Sequence, residues 1–196
     1  VKYKDKDVLP LKPKRHKRIM IVHIKGAGGP MGEIMRMMGM PGGNNAAELL
    51  KEKLCEKGFD AFIYESPLER MKKQVEEGEK PSLNLYFAGK HAISDFVKDM
   101  DLVITLCDVP AGRPAFGMSK GGGEIPWYVF EIPVIVIGCG QPTMLADIPQ
   151  ARTYINTYDA KESTFDALVD ALMKGPGAFK GKDPIDSFCG LFDTHL

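Results

Sequence analysis

Hydrophobic residues in this chain fall into five short runs, separated by longer stretches of mixed polarity. A strand buried on one face alternates apolar and polar residues, whereas a strand buried on both faces is apolar throughout. Most of the runs are of the second kind and are rich in β-branched residues. They are RIMIVHI at 18–24, DAFIYE at 60–65, DLVITLC at 101–107, IPVIVIG at 132–138 and RTYIN at 152–156. We predict a strand at each.

Stretches between these runs carry helical spacing and helix-capping residues. Asn45 is a candidate N-cap, and Gly58 a candidate stop, for a helix over NNAAELLKEKLCEKGF. A second helix is predicted from Ser66 to about Gly78, and a third within HAISDFVKDM at 91–100. A last helix is predicted with Asp159 as its cap. Its apolar face has the spacing i, i+3, i+4 and i+7 and consists of Phe165, Leu168, Val169 and Leu172.

Strands that alternate with helices favour a parallel sheet with helices on both faces. The sequence therefore predicts an α/β fold, a three-layer α/β/α sandwich with a mostly parallel five- to six-stranded sheet. We assign residues 18–175 to this domain. Residues 1–17 are predicted as a linker from an upstream domain, and residues 176–196 as a C-terminal tail that packs on the domain or its partner.

Composition narrows the range of partners. The 26 basic and 26 acidic side chains cancel, so no net field attracts nucleic acid or an anionic membrane. No apolar stretch approaches the roughly 18 residues that would cross a bilayer. The four cysteines form no C-x-x-C pair and lack the spacing of a zinc site, so we expect no metal and a reducing, cytoplasmic setting. We also expect no cofactor.

Ligands of parallel α/β sheets gather at the carboxyl ends of the strands, which here carry the loops 25–44, 108–124 and 139–148. The first loop has glycines at 26, 28 and 32, but a dinucleotide fingerprint requires its third glycine where Met31 stands. A flavodoxin-like nucleotide enzyme is a third hypothesis. It predicts that added nucleotide protects loop 25–32 against thermal unfolding.

The sequence Gly138-Cys139-Gly140 after a strand is similar to a nucleophile elbow. The outer glycines of that motif would stand at positions 137 and 141, which here are Ile137 and Gln141. His23 is predicted as a histidine of the core or of a second layer around it. The pattern thus argues against a cysteine hydrolase.

Two acids, Asp108 and Glu124, bracket the glycine-rich loop. Paired carboxylates can cleave a glycosidic bond, one as acid and the other as base or nucleophile. Loop carboxylates that are merely solvated or hydrogen-bonded are the alternative. Arg113 and Trp127 in the same region are candidate sugar-binding residues, and packing of Trp127 in the core is an equal alternative.

The middle and tail of the chain resemble one enzyme family. Segments 121–142 (GGGEIPWYVFEIPVIVIGCGQP), 145–149 (LADIP), 153–158 (TYINTY) and 179–196 (FKGKDPIDSFCGLFDTHL) are similar to the C-terminal domain of family 3 glycoside hydrolases, in particular the β-N-acetylhexosaminidase-like branch. The opening segment, 1–22, is similar to the part of that family's chain that leaves the catalytic barrel.

This resemblance implies that the catalytic aspartate nucleophile lies on a barrel domain outside this chain. In the N-acetylglucosaminidase branch the acid/base is a barrel histidine, and its motif does not occur here. In the β-glucosidase branch a glutamate of the second domain acts as acid/base, but neither Asp108 nor Glu124 can be matched to it. The resemblance therefore implies an accessory domain that packs on the barrel, helps to shape the carbohydrate site and is inactive alone. A surface left uncovered by the barrel also suggests a homo-oligomer.

A freestanding ligand-binding or interaction module with a flavodoxin-like sandwich is the alternative, because a fold does not determine a function.

Overall fold

The computed structural model describes residues 2–3, 8–25, 46–64, 75–78, 99–109, 132–140, 144–145, 148 and 151–181. Six strands and two α-helices are described over their full length in these ranges, and Val75 and Glu76 are the described part of a further helix. The strands are β1 (Lys2–Tyr3), β2 (Arg18–Lys25), β3 (Asp60–Ile63), β4 (Leu102–Val109), β5 (Val134–Gly140) and β6 (Thr153–Asn156). The helices are α1 (Ala46–Glu56) and α2 (Glu162–Lys174), and α2 is followed by a short 3-10 turn at Pro176–Ala178.

All six strands form one sheet in the order β1-β6-β5-β4-β2-β3. The five strands from β6 to β3 are parallel, and β1 is antiparallel to β6. The predicted α/β fold and its mostly parallel sheet are therefore confirmed. Because β2 lies between β3 and β4, the strand order reverses beside β2, and the gap between β2 and β4 is the topological switch point of the sheet.

Side chains on both faces of the sheet are buried, which explains why the strand sequences are apolar throughout. On one face, Ile21, Ile104 and Ile137 pack with buried residues of α1 and α2 such as Leu50 and Phe165. On the other face a second apolar cluster contains residues of four strands and of the segment after β5. Its members include Met20, Val103, Val136, Met144, Leu145 and Tyr154.

The helices that the sequence predicts are described in part. Helix α1 ends at Glu56, and Gly58 follows with a φ of 88°, as a stop signal requires. The predicted cap Asn45, most of the predicted helix from residue 66 to 78 and most of segment 91–100 lie outside the described residues.

The prediction that Asp159 caps the last helix was wrong. Helix α2 begins at Glu162 with Lys161 as its N-cap residue. Asp159 lies two residues further back, where its carboxylate accepts hydrogen bonds from the backbone N–H of Lys161 at 3.4 Å and from the hydroxyl of Thr164. Asp159 therefore does bind groups at the start of the helix, but the helix begins three residues after it.

An ion-pair cluster joins the two helices. Lys53 of α1 places its Nζ 3.0 Å from Glu162 Oε1 and 3.1 Å from Asp166 Oδ1 of α2. Hydrogen bonds to these two carboxylates raise the pKa of Lys53, so the side chain stays charged although little of it is exposed. This contact fixes the two helices against each other on one face of the sheet.

The segment before β2 contributes to the core. Val8, Leu9 and Leu11 are buried among the residues of the α1 and α2 face. The backbone N–H of Leu11 donates to Leu172 O of α2 at 2.8 Å, and Tyr3 pairs with Thr153 in the sheet. The described helices include none with the length and apolar character that a bilayer crossing requires.

Candidate functional site

The switch point carries a histidine and an aspartate at its carboxyl edge. Because side chains alternate along a strand, His23 projects from the same face as Ile19 and Ile21, and Asp108 from the same face as Leu106. Asp108 is paired with Lys25 of β2, and His23 lies two residues before Lys25 on that strand. The His23 Nε2 to Asp108 Oδ2 distance is 4.0 Å, and the side chains are 8% and 25% exposed.

Cys139 extends this row of side chains to β5. It is paired with Asp108 across the β4–β5 ladder and is 1% exposed. Burial raises the pKa of its thiol to about 11; the nearby Asp108 and Asp159 carboxylates add to the shift, and a hydrogen bond from Thr157 reduces it. The Thr157 Oγ1 to Cys139 Sγ distance is 3.4 Å. A protonated, buried thiol is a poor nucleophile, which agrees with the prediction from the sequence that the chain is not a cysteine hydrolase.

Packing explains the glycines that flank Cys139. A Cβ at position 138 would meet the hydroxyl of Tyr154 and would lie 2.8 Å from Asn156 Oδ1, so the side chains of β6 exclude any larger residue. Gly140 has a φ of 108°, which side chains rarely adopt. The glycine pattern therefore has a structural cause that is independent of nucleophilic catalysis.

The turn after β6 forms the far end of this edge. Thr157 extends the β5–β6 ladder by donating its N–H to Gly138 O at 2.9 Å, and its hydroxyl is 2.8 Å from Asp159 O. Tyr158, between them, has a φ of 63° and is 41% exposed. We call the side chains of His23, Asp108, Cys139, Thr157 and Tyr158 the carboxyl-edge row.

One predicted site residue, Asp108, is described, and it lies at the carboxyl edge where the sequence placed it. Glu124, Arg113 and Trp127 lie outside the described residues, so their relation to Asp108 stays a prediction. The sequence alone does not indicate that His23 and Asp108 are neighbours. Both lie near strand ends, but only the pairing of β2 with β4 shows that they are neighbours. Within the described ranges, no group of three or more His, Cys, Asp or Glu residues is arranged to hold a metal ion.

No protein-family model matches the chain. The chain is similar to a β-N-acetylglucosaminidase/β-glucosidase of Cellulomonas fimi, with 29% identity over 192 residues that make up 96% of this chain and 30% of that protein. Among solved structures it is similar to the β-glucoside phosphorylase BglX bound to 2FGlc, with a TM-score of 0.63 and 29% identity over 97% of this chain and 30% of that one.

A family 3 β-N-acetylglucosaminidase from Paenibacillus sp. str. FPU-7 has the same fold, with a TM-score of 0.54 and 12% identity over 90% of this chain and 29% of that one. The chain thus spans about 30% of the length of the relatives it matches, and nearly all of it takes part in each match. The predicted resemblance to the C-terminal domain of family 3 glycoside hydrolases is therefore confirmed in sequence and in fold.

Proposed function

We propose that this domain packs against the catalytic barrel of a family 3 glycosidase and turns its carboxyl edge toward the sugar site. The observation that carries the proposal is the extent of the matches. They cover 96–97% of this chain but 30% of the C. fimi enzyme and of BglX, so the chain corresponds to one part of a larger enzyme. The relative from C. fimi is named for β-N-acetylglucosaminidase and β-glucosidase activity, and we propose a β-linked glycoside as the substrate class.

The carboxyl-edge row supports a role in binding. Asp108 is 25% exposed, so its carboxylate can accept hydrogen bonds from sugar hydroxyls while His23 lies beside it, more deeply buried. Cys139 is protonated and covered, so this row holds no activated nucleophile. The proposal therefore assigns bond cleavage to the barrel and assigns sugar positioning to this domain.

A domain exchange tests the proposal. The region of the C. fimi enzyme that matches this chain is replaced by the chain, and turnover of aryl N-acetyl-β-glucosaminide and aryl β-glucoside is measured. Because BglX is a phosphorylase, each assay is run with and without inorganic phosphate. We expect the chimera to turn over at least one substrate and the isolated chain to turn over neither.

The variant Asp108→Asn in the chimera should raise KM, since a carboxylate accepts stronger hydrogen bonds than an amide. Asp60→Asn is the matched control, because Asp60 is an exposed aspartate at the opposite, amino end of β3. Robust turnover by the isolated chain that is lost in Asp108→Asn would contradict an accessory role. A folded chimera without activity would favour the freestanding module.

A further inference from the structure

Tyr158 combines two features that are each unfavourable for stability. Among the described residues it is the single non-glycine residue with a left-handed backbone, at a φ of 63°. The residue is 41% exposed and is the one aromatic residue among the exposed large hydrophobic residues of the same ranges. Glycine or asparagine would adopt this backbone at a lower cost. A strained, exposed aromatic residue at the ligand-binding edge of a sheet points to use of its side chain in binding.

Hydrogen bonds on both sides fix the backbone of Tyr158. Before it, the backbone N–H of Thr157 donates to Gly138 O at 2.9 Å. Around it, the hydroxyl of Thr157 donates to Asp159 O at 2.8 Å. After it, the carboxylate of Asp159 accepts from the Lys161 N–H at 3.4 Å and from the Thr164 hydroxyl. The ring is therefore attached to a rigid turn, which lowers the entropy lost when a ligand binds to it.

The position of Tyr158 relates it to Asp108. Asp108 is the second-last residue of β4, and Tyr158 is the second residue after β6. β5 separates the two strands, so at the usual strand spacing they lie about 10 Å apart. This separation is comparable to the length of a disaccharide, and both residues lie at the carboxyl edge of the sheet.

We infer that Tyr158 forms a sugar subsite, in which its ring packs against the C–H face of one pyranose of a β-linked disaccharide. The second pyranose lies toward Asp108, where its hydroxyls donate to the carboxylate. Pyranose faces are apolar and flat, whereas their edges carry the hydroxyls, so a ring and a carboxylate separated by about the length of a disaccharide complement such a ligand. The inference rests on the proposed function for its ligand class.

Two variants separate the ring from the backbone. Tyr158→Phe keeps the aromatic face and the left-handed strain, while Tyr158→Asn removes the ring and tolerates the backbone. The full 196-residue chain and both variants are titrated calorimetrically with N,N′-diacetylchitobiose and with cellobiose, and their thermal unfolding is followed in parallel. We expect Tyr158→Phe to bind within about twofold of wild type and Tyr158→Asn to bind about tenfold more weakly, the size of one aromatic contact.

Stability should follow the opposite order, because Tyr158→Asn relieves the backbone strain and should unfold at or above the wild-type temperature. Weaker binding by a variant that is no less stable cannot arise from damage to the fold. Equal affinity of wild type and Tyr158→Asn, or no binding of either disaccharide by the wild-type chain at millimolar concentration, would overturn the inference. An active chimera would leave the proposed function standing in either case, so the two failures are distinguishable.

Discussion

Replacing Gly138 by alanine tests why a glycine stands beside Cys139. The added Cβ would lie 2.8 Å from Asn156 Oδ1 and 3.2 Å from Tyr154 Cζ, with the Tyr154 hydroxyl closer still. Tyr154 is 3% exposed, so its ring has no open path to solvent. Its hydroxyl also donates to Asn156 Oδ1 at 2.6 Å, and the new methyl group would push against both partners of this bond.

The magnitude follows from overpacking. An extra methyl group forced into a well-packed region costs about 1–3 kcal/mol. Displacing the Tyr154 hydroxyl from its acceptor adds roughly 1 kcal/mol when the bond is lost. For a domain of this size each kcal/mol corresponds to roughly 2–4 °C in Tm. At a total of about 2–4 kcal/mol, we expect Gly138→Ala to lower Tm by about 4–16 °C.

A double-mutant cycle with Tyr154→Phe identifies the cause. Tyr154→Phe removes the hydroxyl that the Cβ meets, so the two substitutions together should destabilise by clearly less than the sum of their separate effects. Thermal and denaturant unfolding of the four proteins give the coupling energy. Gly177→Ala is the matched control, since nothing lies within 4 Å of a Cβ built at that position. Strict additivity, or a Tm for Gly138→Ala that equals that of wild type, would refute the packing explanation. The glycines beside Cys139 would then again be compatible with a nucleophile elbow.

Two further predictions concern the core. Burial raises the pKa of Cys139 from 9.0 to about 11, so between these values the unfolded chain has lost this proton while the folded chain retains it, and stability should fall as pH rises. Urea unfolding of wild type and Cys139→Ala across this range checks the prediction, which fails if both show the same slope. Leu11 is 1% exposed, so Leu11→Ala should cost about 2–5 kcal/mol. The exposed Lys14→Ala should stay within about 0.5 kcal/mol, and equal unfolding midpoints for the two would show that Leu11 lies outside the cooperative core.

Local pattern was sufficient for most of the sheet. All five predicted strands are present as parallel strands, because burial on both faces leaves uniformly apolar runs that no surface strand would carry. The predicted start of the last helix was less accurate, because Asp159 is not its N-cap residue. Its carboxylate binds Lys161 N–H and the Thr164 hydroxyl, so its residue type signals a nearby helix but does not state at which residue the helix begins.

Relations between distant residues could not be predicted in this way. His23 and Asp108 are neighbours because β2 and β4 are paired, and the order of strands in a sheet is a tertiary property that no local period encodes. The strain at Tyr158 likewise depends on Thr157, whose hydroxyl bridges the turn to Asp159. The strand order would be sufficient to predict that His23 and Asp108 are neighbours, whereas the strain at Tyr158 can be recognised only from backbone angles.

The pairing of β1 with β6 has a consequence for the order of folding. Strand β4 pairs with β2, β5 with β4 and β6 with β5, so that this part of the sheet can grow outward from β2 as the polypeptide is synthesised. Lys2 and Tyr3 precede the parallel strands in the chain but pair with Thr153 and Tyr154, and the backbone N–H of Leu11 donates to Leu172 O. These contacts have large sequence separation and form only after nearly the whole domain exists. In a nascent chain stalled before β6, the apolar residues that precede β2 are therefore still uncovered, and we expect that state to be the one that chaperones engage.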